Sequence, residues 1–332
     1  MACIAGGTRF CRRLILGLLI STGLMAYAQA QTGTYPNRPI RFILPYPAGG
    51  ATDVMTRVTA EAMSKSMRQP IVIENRPGAG VLLGSSFVAK APPDGYTFLI
   101  TTSAHSINQT LFRKLPYDSD KDFEPVAMIG KISFVLLVPP NLEVNDLGSF
   151  IALLRKNPGK YNFGSAGLGS PMHIGPELFK NLTATEATHI PYKGEAAAVN
   201  ALLGGHITFV YSSPATAANH IRAGTARPLA LTSLRRSPMV PNVPTMAEAG
   251  LPAAEIYSWS VLMAPAGTPH EIVDLLNREV GKALSNDEVR ARMAGFGFDI
   301  DTRLSPAATR EFIHAEAVKW APIVKASGAV VE

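Results

Sequence analysis

The sequence predicts an α/β fold with largely parallel sheets, divided over two lobes. Three observations carry that expectation. From Tyr35 onward, apolar runs of strand length alternate with segments of helical period. The joins between them are short and rich in Gly and Pro. The chain has only two cysteines, Cys3 and Cys11, so everything after them must be held by a hydrophobic core rather than by disulfides.

The elements follow in order. Ile40–Leu44, "IRFIL", reads as a buried strand. A helix comes next, with Val54, Val58 and Ala62 on one stripe and Asp53 at its start, where a carboxylate suits the helix dipole. Pro70–Asn75 is a second strand, a helix spans about Leu82 to Ala89, and "YTFLITT" is a third strand after the turn at Pro92–Gly95. "SFVLLVPP" is another strand. The middle repeats the logic: "DLGSFIALLRK" is a helix stopped by Asn157-Pro158-Gly159, "KYNFGSAGLGSPMHIGPELFK" reads strand, loop, helix, and "ATHIPYKGEAAAVNALLGG" repeats it. "HITFVYSS" and "PLALTS" are strands. "EIYSWSVLMAPAGTP" leads a strand into a helix with Thr268 expected as N-cap and Pro269 at the first position, its apolar face being Ile272, Leu275, Leu276 and Val280. A last helix starts at Ser305-Pro306 and carries Phe312 and Trp320. No internal repeat and no low-complexity linker interrupts the pattern, which suits two α/β lobes joined by short crossovers.

The first 30 residues read differently. Arg9, Arg12 and Arg13 precede the run "LILGLLI", and "AQA" closes it at Ala28–Ala30, the layout of a secretory signal peptide cut after Ala30. The apolar run is short for a membrane span, which needs roughly 20 residues. Both cysteines fall inside this segment, so the mature chain has no thiolate nucleophile and no Cys–zinc site. Formal charge is +6, from 31 basic and 25 acidic residues; without the three leader arginines it is +3. No Lys/Arg-rich run with interleaved aromatics appears, so nucleic acid is not an expected partner. Nor is membrane insertion of the mature chain.

Catalytic and cofactor motifs are poor. Gly78, Gly80 and Gly84 resemble a dinucleotide fingerprint, but the strand after them ends Ile100-Thr101-Thr102 without the acid that would hold a ribose. "GSAGLGS" has the spacing of a phosphate loop, with Ser170 where the lysine belongs. Ser165 lies in "NFGSAG", which lacks the first glycine of a nucleophile elbow. His270-Glu271 is not followed by the second histidine of a zinc protease. The seven histidines show no metal spacing, and Asp118, Asp120 and Asp122 sit in a polar loop, most simply solvated. No cofactor and no metal is expected. What recurs is a strand end feeding a Gly/Ala/Ser/Pro loop and then a helix, three times over: "PYPAGGATD", "NRPGAGVLLG" and "GSAGLGSPMH". Such loops aim free backbone N–H groups and a helix N-terminus at one point, which suits a carboxylate as well as a phosphate.

Taken together, the motifs resemble the tripartite tricarboxylate transporter receptor family, also called the Bug family of periplasmic solute-binding proteins. The matching segments include "YPNRPIRFILPYPAGGATDVMTR", "PPDGYTFL", "LPYDSDKDFEPV", "FGSAGLGSPMH", "IPYKGEAAAVNALLGGHI", "LRRSPMVPNVPTMAEAGLP" and "SWSVLMAPAGTP", in family order from Tyr35 to Trp320. The resemblance implies a type II periplasmic-binding-protein fold, with two α/β lobes, a ligand cleft and a crossover hinge. Residues 35–130 and 234–332 would form lobe one and 131–233 lobe two, with hinge crossings near Gly130–Ser133 and Leu231–Ser233. It implies a small carboxylate ligand: a di- or tricarboxylate, an acidic amino acid or an aromatic acid. The ligand would be gripped between Tyr46, Ala48, Gly49, Gly50, Thr52 and Asp53 on one side and Ser165, Ala166, Gly167, Ser170 and His173 on the other. Gly80, Thr102 and Ser103 would line the mouth, and Tyr192, Tyr211 and Ser212 the far wall. Family members often read "GAGGNIG" where this chain has "GAGVLLG", so Val81 and Leu82 are expected to make that wall more apolar. The uncharged hydroxyls of Tyr211, Ser212 and Ser213 argue against an ammonium-bearing ligand. The implied partner is a tripartite tricarboxylate-type permease, and the chain is expected to be a monomer. Two rivals stand beside this reading: a sensor using the same cleft, and a periplasmic serine hydrolase using Ser165 or Ser170 with His173.

Overall fold

The computed structural model describes residues 35–300 and 304–331. The expected signal peptide and both cysteines lie outside these residues. The first sheet starts from β1 (Ile40–Leu44), whose Ile40, Phe42, Ile43 and Leu44 are buried. The chain then makes α1 (Ala51–Met67), β2 (Ile71–Asn75), a single 3₁₀ turn at Ala79–Val81, α2 (Leu82–Ala89), β3 (Thr97–Thr102), α3 (Ala104–Leu111) and β4 (Phe123–Ile132). It crosses to the second sheet, giving β5 (Val135–Val138), α4 (Leu147–Lys156), β6 (Asn162–Ser165), α5 (Pro171–Thr183), β7 (Thr188–Pro191), α6 (Glu195–Leu203), β8 (Phe209–Ser212), α7 (Pro214–Arg222) and β9 (Arg227–Leu231). It returns with β10 (Ser258–Pro265), α8 (His270–Ser285), α9 (Asp287–Ala294), β11 (Phe298–Asp299) and α10 (Pro306–Ala326).

The sheets run β11-β4-β10-β3-β1-β2 and β7-β6-β8-β5-β9. Both are mixed, not largely parallel as expected. β10 is antiparallel to β3 and β4, and β5 is antiparallel to β8 and β9. Each is the strand that enters its sheet directly from the other lobe, without a crossover helix to turn it parallel. The parallel sets β2-β1-β3 and β7-β6-β8 place their C-terminal ends on one edge of each sheet. That edge carries the loops of interest.

Helix ends use ordinary chemistry. α4 begins with a capping box between Asp146 and Ser149, α9 is capped by Asn286, and α10 by Ser305 with Pro306 behind it. α8 departs from expectation: it begins at His270 with Pro269 in the capping position, while Thr268 Oγ1 donates to the Pro265 carbonyl and caps nothing. On α1 the buried face holds Met55, Thr56, Val58, Thr59, Ala60 and Met63, and Val54 and Ala62 are only half-buried. The helix touches both β2 and α8, which widens and rotates its covered face beyond a single stripe.

The crossovers meet at one buried residue. Thr232 Oγ1 accepts the Phe134 N–H at 2.9 Å and donates to the Ile256 carbonyl at 2.9 Å, and its own N–H reaches the Phe134 carbonyl at 2.8 Å. The expected return to the first lobe at residue 234 is early. Val240 and Val243 pack in one apolar cluster of the second sheet, and Met246, Ala254 and Ile256 in the other, so sheet one resumes only at Ser258. α10 joins both bodies. Its Ile313 packs with β1, β3 and β10, while Trp320 and Val324 pack with the second sheet's cluster. Glu316 Oε2 accepts both Trp259 Nε1 at 2.9 Å and Trp320 Nε1 at 3.0 Å.

Candidate functional site

The first loop, Pro45–Gly50, leaves β1 and enters α1. Asp53 shapes it from below and is itself 3% exposed. Its Oδ2 accepts the Gly49 N–H at 3.0 Å and Arg57 Nε at 2.9 Å, and its Oδ1 accepts Arg57 and Asn75. Burial alone would raise the Asp53 pKa, but Arg57, the Gly49 amide and Asn75 outweigh it and hold it below the usual carboxylate range. Asn75 also donates to the Tyr46 carbonyl at 3.0 Å. Gly84 gives room on the other side, since a Cβ there would lie 2.8 Å from Pro45 Cβ. The Asp53 side chain thus braces the loop, and the Gly49 N–H is already spent on it. No side chain caps α1, so the amides of Gly50, Ala51 and Thr52 remain as donors. Ala48, Gly49 and Gly50 are exposed and Tyr46 and Thr52 half-buried. The Tyr46 hydroxyl meets Thr102 Oγ1 at 2.6 Å, and burial pushes its pKa up to about 12. Thr102 and Ser103 are buried at the end of β3.

The second loop, Ser165–Ser170, leaves β6 and enters α5. It is braced by side chains beneath. Ser165 is fully buried; its Oγ meets His189 Nε2 at 2.6 Å, accepts the Gly167 N–H at 3.1 Å and lies 3.2 Å from the Gly167 carbonyl. His173 Nδ1 accepts the Gly169 N–H at 3.2 Å, and the His173 and His189 rings stack at 3.8 Å over Phe163. Burial, then the charge of the other histidine, pushes His173 down to about 3; burial, then Lys180, pushes His189 down to about 4. Both rings are therefore neutral at ordinary pH. Ser170 Oγ donates to the Gly167 carbonyl at 2.7 Å. The donors left are the amides of Ala166, Leu168 and Met172, which bond to nothing among the described residues.

The two loops sit on facing edges. A Cβ on Gly169 would lie 2.4 Å from Leu111 Cδ2 and 3.2 Å from Asn108 Oδ1, both on α3 of the first body. Asn108 Nδ2 in turn donates to the Gly80 carbonyl at 2.7 Å. A second approach lies further along: a Cβ on Gly297 would come within 3.0 Å of Pro214 at the start of α7. The strand-end edges therefore face one another between these two contacts. Two surface hollows, of 350 and 650 Å³, lie elsewhere, one against β4, β10 and α10 and one behind the second sheet. Neither is lined by a residue of the Pro45–Gly50 or Ser165–Ser170 loop.

Several expected site residues stand elsewhere than the sequence suggested. Tyr211 is wholly buried, stacked on Phe134 beneath Gly175 of α5, so it lines no wall; its hydroxyl has no partner among the described residues and burial raises its pKa. The alternation of β8 sends Tyr211 inward to α5. Val81 and Leu82 are also core residues, and Leu83 is the exposed one, at 60%. His173 braces the loop from inside and does not reach solvent. Ser212 is buried too, donating to Glu195 Oε1 at 2.8 Å. Gly80 is exposed, and Ala166, Gly167, Ser170 and Tyr192 are half-buried. Sequence reasoning missed Asn75, Asn108, His189 and Glu195. Only Glu195 left a signal, an acid directly after the glycine that opens a helix. The Ser165–His189 pair has the spacing of a nucleophile and base, but it sits under the loop, no carboxylate among the described residues orients the histidine, and a ring held near pKa 4 is a weak base.

Two mixed α/β sheets, paired crossovers and facing strand-end loops define a two-lobed solute-binding protein. The sequence profile of the "Tripartite tricarboxylate transporter family receptor" matches residues 55–329, and the chain belongs to that family. Protein BugT of Bordetella pertussis is 39% identical over 317 residues, covering 95% of this chain and 97% of BugT. Among solved structures, R. palustris Rpa4515 with adipate superposes with a TM-score of 0.82 at 35% identity, covering 89% of this chain and 99% of that one. MatC from Rhodopseudomonas palustris with bound malate gives 0.80 at 33%, covering 87% and 100%. Among the described residues no helix is long and apolar enough to cross a membrane, and no cluster of three His, Cys, Asp or Glu side chains could hold a metal ion.

Proposed function

We propose that this protein is exported by its N-terminal segment, captures a small carboxylate-bearing metabolite between its lobes in the periplasm, and hands it to a tripartite tricarboxylate-type permease. The observation that carries the reading is the pair of facing loops, each with braced geometry and outward amides, in a family whose similar structures hold adipate and malate. The carboxylate docks on the amides of Gly50, Ala51 and Thr52 at the start of α1, beside Tyr46, Ala48 and Gly49. The second lobe brings up Ala166, Gly167 and Ser170, with Gly80 and Tyr192 at the rim. The helix dipole and unpaired N–H groups favour the anion without a fixed cation. The lobes divide at the Thr232 crossing, and closure is driven only by the ligand's better fit to the closed form.

Thermal melting with a panel of carboxylates tests this. A bound acid at about 100 times its dissociation constant adds about 2.7 kcal/mol of stability. A panel of adipate, malate, acidic amino acids and aromatic acids that shifts nothing overturns the reading. Mass spectrometry of the native protein names whatever co-purifies with it.

A further inference from the structure

Glu195 is an acid that the second lobe holds at the end of β8, against Ser212 and Ser213. It opens α6 after Gly194, and its Oε1 accepts three hydrogen bonds: Ser212 Oγ at 2.8 Å, Ser213 N–H at 2.7 Å and Ser213 Oγ at 2.8 Å. Ser213 precedes Pro214, the residue that Gly297 of the other lobe approaches, and Ser165 ends β6, which is paired to β8. The carboxylate is therefore held next to the Gly297–Pro214 approach, one of the two places where the lobes come together. No cation pairs with it among the described residues. Three donors fill Oε1, and Oε2 keeps its acceptor capacity.

We propose that Glu195 sets ligand specificity, selecting among small carboxylates those that carry a hydrogen-bond donor, hydroxyl or ammonium, away from the clamped carboxylate. The inference rests on the proposed function. The physical reason is desolvation. Closing the lobes strips water from Oε2, which has no partner among the described residues, and a ligand donor relieves that loss while a second bare carboxylate makes it worse. A charge-assisted bond to the donor is also stronger than a neutral one. This reverses the expectation, drawn from the hydroxyls of Ser212 and Ser213, that an ammonium group is disfavoured: those hydroxyls serve to hold an acid.

The test is isothermal titration of the full mature chain with succinate, malate and aspartate, three acids on the same four-carbon frame. Malate or aspartate binds at least about tenfold tighter than succinate. Whichever leads distinguishes hydroxyl from ammonium. Glu195→Gln keeps an acceptor for Ser212 and Ser213, and it narrows or inverts the order. The wild-type order needs no variant to fold, and circular dichroism melts check that the variant does. Succinate binding as tightly as the other two, an unchanged order in Glu195→Gln, or silence from all three acids overturns the inference. Silence extending to adipate and the aromatic acids overturns the carboxylate reading beneath it.

Discussion

Asp53 shows how one residue turns a glycine loop into a fixed shape. Four donors converge on its two oxygens, and the Gly49 amide is one of them. Asp53→Ala leaves Gly49 and Asn75 without that acceptor and costs about 2 kcal/mol, read by urea denaturation; an unchanged midpoint means the loop holds its shape without the carboxylate. The histidine pair gives a pH signature. His173 and His189 are held well below the ordinary value of 6.5, so the unfolded chain takes up protons that the folded chain refuses. Stability is fully present above pH 6.5 and is lost as pH falls from there, toward about 4 for His189 and about 3 for His173. The paired Asp53 acts in the same direction but only at more acid pH. The melting temperature is therefore expected to fall within the histidine window and to fall less in a His173→Gln, His189→Gln double variant. Equal slopes in the two proteins contradict the assignment.

At the scale of elements, Gly169 belongs to a loop that touches the opposite lobe. Its φ is +72°, and an added Cβ would overlap Leu111. Gly169→Ala pays both the left-handed backbone, about 1–2 kcal/mol, and the forced shift of Leu111. Gly224 makes a control, with φ of +66° and nothing within 4 Å. Denaturation midpoints of the two alanine variants are expected to differ, with Gly169→Ala the lower; equal losses would mean that the contact with α3 costs nothing. The strands and most helices were legible because their apolar periods are local. The orientation of β5 and β10 was not, since no residue pattern within a strand states which neighbour it pairs with. The position of Val81 was misread for a related reason. Val81 takes a left-handed φ of +73°, so its side chain turns into the core, which is seen only once the turn itself is known.

For the whole molecule, the crossover at Thr232 couples the lobes. Thr232→Val keeps the shape and removes the hydroxyl, so the Phe134 N–H and the Ile256 carbonyl lose a buried partner. About 2–4 kcal/mol of stability is expected to go, with the denaturant slope unchanged. A loss below about 0.5 kcal/mol would show that the crossovers do not rely on this hydroxyl. α10 adds a second tie through Glu316 and the two tryptophans, which lie in the clusters of different sheets. The expected division of the chain at residue 234 missed both features, because the segment up to Ile256 reads as an ordinary loop until its apolar side chains are seen packed on the second sheet.

The sequence by itself determined the α/β class, the order of elements, the loops at the strand ends and the family, because each depends on residues close together in the chain. Only the tertiary structure decided which loop amides stay free, which expected site residues are buried braces, and that an acid stands among the serines at the end of β8. Those outcomes depend on partners such as Asp53 with Asn75, Ser165 with His189 and Ser212 with Glu195. They lie 17 to 24 residues apart, and they meet only when parallel strands bring their ends to one edge.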